Sequence, residues 1–335
     1  MPRIPLSLSV YEHAAQFLGL SPWEVSRDAD LVYQAHRAAY ELYRHFPVVV
    51  GIDIYNLEAE AYGCQVVPPT GNGIPAIVTP LCPSVEAALQ LEPIDPARAG
   101  RIPLMLEAAG RLRQDFPGAD VRLPVSGPFS IAQSLLGLDT LLLEAALRPD
   151  AVRELLLHLV EGQVRMSQAA LAAGVGVAFF ESAAAPPLLS PTQFREIELP
   201  VLREALRRVS AVAGQSLPCI IGGDTAPILP DILSTGTGFV ICPAETDRAA
   251  FLEQARNWPD VTIRVNLDPR VYVSGTRDRI RAAVDEVVAL TCIRPGLLLG
   301  TGAIPYETPP DSVLLLKEYC ETCGEDGGSR ETACG

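Results

Sequence analysis

The chain has 335 residues, 48% hydrophobic and 20% charged, with a formal net charge of −14. That surface repels nucleic acid and anionic lipid, so no nucleic acid and no membrane is expected as a partner, although a locally positive pocket still accommodates a small anion. Eight cysteines, with Cys64, Cys82, Cys219, Cys242 and Cys292 standing singly, do not make a disulfide framework, and the opening residues lack a charged stretch followed by a long apolar core. A cytoplasmic globular protein is the expectation.

Short apolar, β-branched runs alternate along the chain with longer amphipathic stretches. Strands are predicted at residues 4–8, 48–53, 121–126, 175–181, 218–223, 238–243, 261–266 and 297–301. Helices are predicted at 28–45, 149–173, 191–212, 249–258 and 277–290, with Pro149 and Ser190-Pro191 as suitable first-turn residues. Apolar strands separated by helices indicate a parallel sheet covered by those helices. Eight such units suit a closed (β/α)8 TIM barrel better than an open doubly wound sheet. One barrel over residues 1–319 is therefore expected. Residues 63–103 are rich in Pro and Gly (Pro68-Pro69, Gly71-Asn72-Gly73, Pro80, Pro83) and read as an insertion that covers the barrel mouth. Residues 320–335 read as a flexible tail, where Cys320, Cys323 and Cys334 have metal-like spacing outside any predicted element.

In such a barrel the functional residues sit at the C-terminal ends of the strands. Those ends carry Asp53 and Asn56, Ser126, Glu181, Gly222-Gly223-Asp224, Glu245, Asn266 and Thr301. Each alone has an ordinary structural explanation: Asp224 precedes a helix and suits a cap, and Asn266-Leu267-Asp268-Pro269 also reads as a turn. Together they outline a pocket of acids, amides and glycines with no basic residue at any strand end, suited to a heterocycle with N–H donors.

The same stretches resemble the uroporphyrinogen decarboxylase superfamily. The resemblance runs through Val49-Gly51-Ile52-Asp53 and Glu58-Ala59-Glu60-Ala61-Tyr62-Gly63-Cys64, then Ser126-Gly127-Pro128-Phe129, then Glu181-Ser182 with Leu189-Ser190-Pro191. It continues through Ile221-Gly222-Gly223-Asp224-Thr225, Val265-Asn266-Leu267-Asp268-Pro269 and Gly302-Ala303-Ile304-Pro305 with Thr308-Pro309-Pro310. It implies a barrel of that type and two branches of activity. Tetrapyrrole decarboxylases carry an arginine-rich N-terminal segment for the substrate carboxylates, whereas Pro5-Leu6-Ser7-Leu8-Ser9-Val10-Tyr11-Glu12-His13 has no arginine cluster. The other branch, corrinoid-dependent methyltransferases, is the better fit.

Within that branch, the coenzyme M enzymes hold zinc with a His-x-Cys on one strand and a Cys near the last. The matching positions here are Ile220, Gly222 and Thr301, so no zinc is expected. His13, His36, His45 and His158 fall in predicted helices, and Cys219 alternates with Ile220 and is expected to face the helices. A thiol needs zinc to become a thiolate, whereas the N5 amine of tetrahydrofolate already has a free lone pair. The resemblance thus implies methyl transfer from methylcobalamin to tetrahydrofolate. Asn266 and Asp224 are the catalytic candidates, and Glu181, Asp53, Asn56, Ser126, Gly222, Gly223 and Thr301 the substrate-binding ones. No Asp-x-His-x-x-Gly signature for a resident cobalamin is present, so a separate corrinoid protein is the implied partner. Two alternatives remain: a zinc-dependent demethylase feeding a corrinoid protein, with Glu181 and Glu196 in its metal set, and a decarboxylase-like or non-catalytic corrinoid- or pterin-binding barrel.

Overall fold

The computed structural model describes residues 3–322; Cys323 and Cys334 lie outside them. Eight strands form one all-parallel sheet: β1 Leu6–Ser9, β2 Val48–Val49, β3 Val121–Ser126, β4 Gly176–Phe180, β5 Pro218–Ile220, β6 Phe239–Cys242, β7 Thr262–Leu267 and β8 Leu298–Ala303. Their hydrogen-bonded order is β1-β8-β7-β6-β5-β4-β3-β2, and helices alternate with them. Curling that order round gives a (β/α)8 barrel, nearly closed between β1 and β2.

All eight predicted strands are present. The second is shorter than its apolar run because Gly51 turns away from the ladder. Its N–H goes to His36 Nε2 at 2.9 Å, and its φ is +154°. A Cβ at Gly51 would sit 2.7 Å from Ile54, so the close turn needs glycine. His36 is buried, which pushes its pKa down to about 4 and keeps the ring neutral and free to accept that N–H.

The helices follow from their patterns. Ala29–Tyr43 begins at Asp28, whose side chain accepts from Leu31 N, and ends at Arg44 in the left-handed region, so His45 lies beyond the helix rather than inside it. Ser190 and Gln193 form a capping box at the start of the 191–213 helical stretch. A π-helical segment, Phe194–Glu198, interrupts that stretch before Leu199–Ala213. The last helix, Pro310–Glu321, runs past residue 319 because Val313, Leu316 and Cys320 bury one face.

Residues 63–103 hold an antiparallel ribbon, Val66–Val67 against Ala76–Ile77, and a short helix, Val85–Ala88. The main core lies between strands and helices. A second, small cluster of Tyr11, Val49, Ile54, Ala178 and Phe180 lies apart from it, with Ile220 and Ala303 packed alongside. Among the described residues no single helix is long and apolar enough to cross a membrane.

Candidate functional site

A cavity of about 270 Å³ opens at the C-terminal ends of the strands. Its walls include Ser9, Tyr11, Tyr55, Phe180, Gly222, Gly223, Glu245, Arg264 and Asn266. A second cavity of about 360 Å³ shares Tyr55 and Ser182 with it and is walled by Asn56, by residues 74–77 of the inserted ribbon and by Ser130. The two together have the size of an ordinary small-molecule site. A hollow of about 600 Å³ lies elsewhere, beside the start of β1, among Tyr43, His45 and Lys317.

The alternation of β7 builds the mouth. Ile263, Val265 and Leu267 belong to the main core, whereas Arg264 and Asn266 line the cavity. On β1, Leu8 joins the main core while Ser7 and Ser9 meet Arg264 from the interior. Gly300 of β8 pairs with both Ser7 and Asn266. A Cβ there would lie 2.5 Å from Arg264 and 2.7 Å from Asn266 Oδ1, so glycine is what leaves room for both side chains. Asn266 is only 6% exposed, and its Oδ1 has no hydrogen-bond partner. Buried amide oxygens are normally paired, so this one is a free acceptor in the cavity wall. Phe180 meets Tyr11 edge-on at 6.2 Å and Tyr55 edge-on at 6.4 Å, giving an aromatic wall. Burial raises the Tyr11 phenol above its ordinary pKa, so it is a neutral donor.

The candidates separate clearly. Asn266, Gly222 and Gly223 line the mouth, and Asn56 lines the adjoining cavity while donating to Pro75 O at 2.7 Å. The others serve the scaffold. Asp53 is 2% exposed, with both oxygens bound to Arg101 at 2.7 Å. Glu181 caps the helix Pro128–Leu136: its carboxylate accepts from Phe129 N and Ser130 N, each at 3.0 Å, and from Ser130 Oγ at 2.5 Å. It also faces Glu198, whose carboxyl burial and the neighbouring Glu181 push well above its ordinary range. Ser126 binds Glu58 through both N and Oγ, and Thr301 Oγ1 accepts from Ser9 N at 3.0 Å across the β1–β8 seam. Asp224 is exposed at the rim and accepts from Thr246 Oγ1 at 2.8 Å, tying two loops together. Neither Asp53 nor Glu181 reaches the cavity, so neither forms the expected carboxylate clamp. The acid that lines the mouth is Glu245.

The reading of a mouth without a basic residue is corrected by Arg264, which lies inside β7, two positions before Asn266. Period-two alternation across Thr262-Ile263-Arg264-Val265-Asn266 was the signal for it. Tyr11, Tyr55 and Phe180 carried no comparable signal, since an aromatic in a barrel sequence reads as core.

At the three positions that the resemblance implies for zinc ligands stand Ile220, Gly222 and Thr301, with no histidine or cysteine among them. Ile220 and Gly222 line the mouth, and the Thr301 hydroxyl is engaged by Ser9. Cys219 is buried in the main core, on the other side of β5 from Ile220. Glu196 is exposed, and it is Glu198 that approaches Glu181, so the carboxylate metal set considered for a demethylase is not assembled. Among the described residues no group of three or more His, Cys, Asp or Glu is arranged to hold a metal ion.

Comparison with known proteins agrees with this architecture. No curated protein matches the chain. A solved structure described as a methyltransferase from Methanosarcina mazei is 21% identical, with 94% of this chain and 93% of that chain covered and a TM-score of 0.80, a likeness of fold. A structure of SacUVDE is 12% identical over 95% of this chain and 100% of that one, at a TM-score of 0.45, too low to bear on function. The sequence model of the Uroporphyrinogen decarboxylase (URO-D) family matches residues 1–323. The chain therefore belongs to the uroporphyrinogen decarboxylase family.

Proposed function

We propose that this protein is a methyltransferase that takes a methyl group from a methylated corrinoid protein and passes it to N5 of tetrahydrofolate, without a thiol-activating zinc. The observation that carries the reading is one cleft in which Asn266 presents an unpaired amide oxygen beside Ile220 and Gly222, neither of which can ligate zinc. A thiol acceptor depends on metal activation, whereas an amine acceptor depends on being positioned. The fold likeness to the Methanosarcina mazei methyltransferase supports the same class.

Methyl transfer from the partner's methylated corrinoid would form the N–CH3 bond as the Co–C bond breaks, the bonding pair staying with the corrinoid and the N5 proton passing to water. In this reading Asn266 Oδ1 accepts the N5–H and turns the lone pair toward the opening. Glu245 offers a carboxylate to the N3–H and 2-amino pair at the rim, replacing Glu181, Asp53 and Asp224 in that role. The aromatic wall of Tyr11, Tyr55 and Phe180 holds the flat ring. The test is incubation of metal-depleted protein with methylcobalamin and tetrahydrofolate. Loss of methylcobalamin absorbance with stoichiometric methyltetrahydrofolate is expected, and an unchanged spectrum contradicts the reading.

A further inference from the structure

Three arginines are buried among the described residues, and two are fully engaged. Arg101 binds Asp53 in bidentate fashion and Glu60 at 2.5 Å. Arg294 donates to the carbonyls of Ala255, Trp258, Pro259 and Val261. Arg264 differs. It is 5% exposed, its Nη1 reaches only the hydroxyls of Ser7 at 3.3 Å and Ser9 at 3.4 Å, and its Nε has no partner. A guanidinium keeps its charge in a protein and carries five donors in a planar fork. Burial here works against that charge, and the ionisable groups acting on it are the phenols of Tyr11, Tyr55 and Tyr272 rather than a carboxylate.

Such a cation, set in a cavity wall, lacks a counter-ion that a ligand would supply. The sequence makes space for it: Ser7, Ser9 and Gly300 are the small residues around its side chain. Arg264 also borders a cavity of about 330 Å³ on the opposite side. There the neighbouring guanidinium, Arg122, is already bound by Asp120 at 2.9 and 2.6 Å, so an anion entering from that side meets a carboxylate. The mouth side has an aromatic wall instead.

We propose that the floor of the mouth is a carboxylate subsite, in which an organic acid seats its carboxylate on Arg264 and its apolar body against Tyr11, Tyr55 and Phe180. The subsite lies in the cleft assigned above to the methyl acceptor but does not rest on that acceptor's identity. The carboxylate comes either from a small aromatic acid or from the glutamyl end of a folate; a folate seated that way enters tail first, an orientation alternative to the pterin-first one given above.

Calorimetric titration of the whole chain, without corrinoid, tests it with benzoate, benzamide and p-aminobenzoylglutamate. At least one acid is expected to bind, and the neutral amide is not. Arg264→Gln is expected to weaken the acid on the order of 30-fold or more, and Arg264→Lys to keep part of the affinity. Gly222→Leu fills the mouth, and a Cβ there meets nothing within 4 Å, so this variant is expected to fold and to block the acid. Benzoate alone identifies a small acid as the source, and p-aminobenzoylglutamate alone identifies the folate tail. Equal binding of benzoate and benzamide overturns the subsite, as does no binding of either acid, or acid binding that survives Arg264→Gln or Gly222→Leu. Acid binding without methylation of tetrahydrofolate overturns the proposed function and leaves the subsite standing; methylation without acid binding does the reverse.

Discussion

Asn266 has an amide oxygen with nothing to lose and a ligand to gain. Because Oδ1 is unpaired in the folded chain, Asn266→Ala is expected to change stability by less than about 1 kcal/mol. The same substitution removes the acceptor for the substrate N–H and is expected to lower kcat/KM for tetrahydrofolate on the order of tenfold or more. Thermal unfolding and steady-state kinetics on one preparation separate the two effects; an unchanged kcat/KM contradicts the role given to this residue. Gly300→Ala is a complementary probe. Its new Cβ forces Arg264 and Asn266 apart, so acceptor affinity is expected to fall although neither side chain is altered. At this scale the sequence made Asn266, Gly222 and Gly223 legible, because each stands where an apolar strand run ends. Arg264 was less legible because it stands inside the strand, before the run reaches its end.

Between elements, buried acids do the fastening. Asp53 follows β2 and binds Arg101 at the head of the helix Ile102–Asp115, and Glu58 binds Ser126 at the end of β3. Asp53→Ala leaves the Arg101 guanidinium short of its main counter-ion and is expected to cost about 3–5 kcal/mol of unfolding free energy, read by denaturant titration. A normal stability with lost substrate binding instead returns Asp53 to the site. Burial raises the Glu58 carboxyl from 4.5 to about 7, against the lowering effect of its bonds to Ser126. A folded-state value above the unfolded one gives a contribution that is complete below the unfolded value and lost as pH rises through about 7. Relative to Glu58→Gln, the wild type is therefore expected to lose on the order of 3 kcal/mol between about pH 5 and 8. Parallel stability profiles of the two proteins contradict this. These fastenings explain why strand-end acids looked like a pocket. Partners 48 residues apart for Asp53 and 51 for Glu181 are invisible to local pattern, whereas the eight strands and the capping box at Ser190 are written in nearest neighbours.

For the whole molecule, the parallel barrel gathers β1, β4, β5, β6, β7 and β8 around one mouth, and the inserted ribbon supplies the wall of the adjoining cavity. The net charge of −14 sits mainly outside that mouth, whose floor holds a cation. The family's barrel is thus retained, with Ile220 and Gly222 lining its mouth and Thr301 bonded to Ser9 across the β1–β8 seam. In the proposed reading this mouth methylates an amine and not a thiol. The most direct measurement offers metal-depleted protein equal amounts of tetrahydrofolate and a simple thiol in one reaction with methylcobalamin, and counts the label in each product. The account predicts methyltetrahydrofolate with no methylated thiol, unchanged by added zinc. A methylated thiol that appears when zinc is added would contradict it.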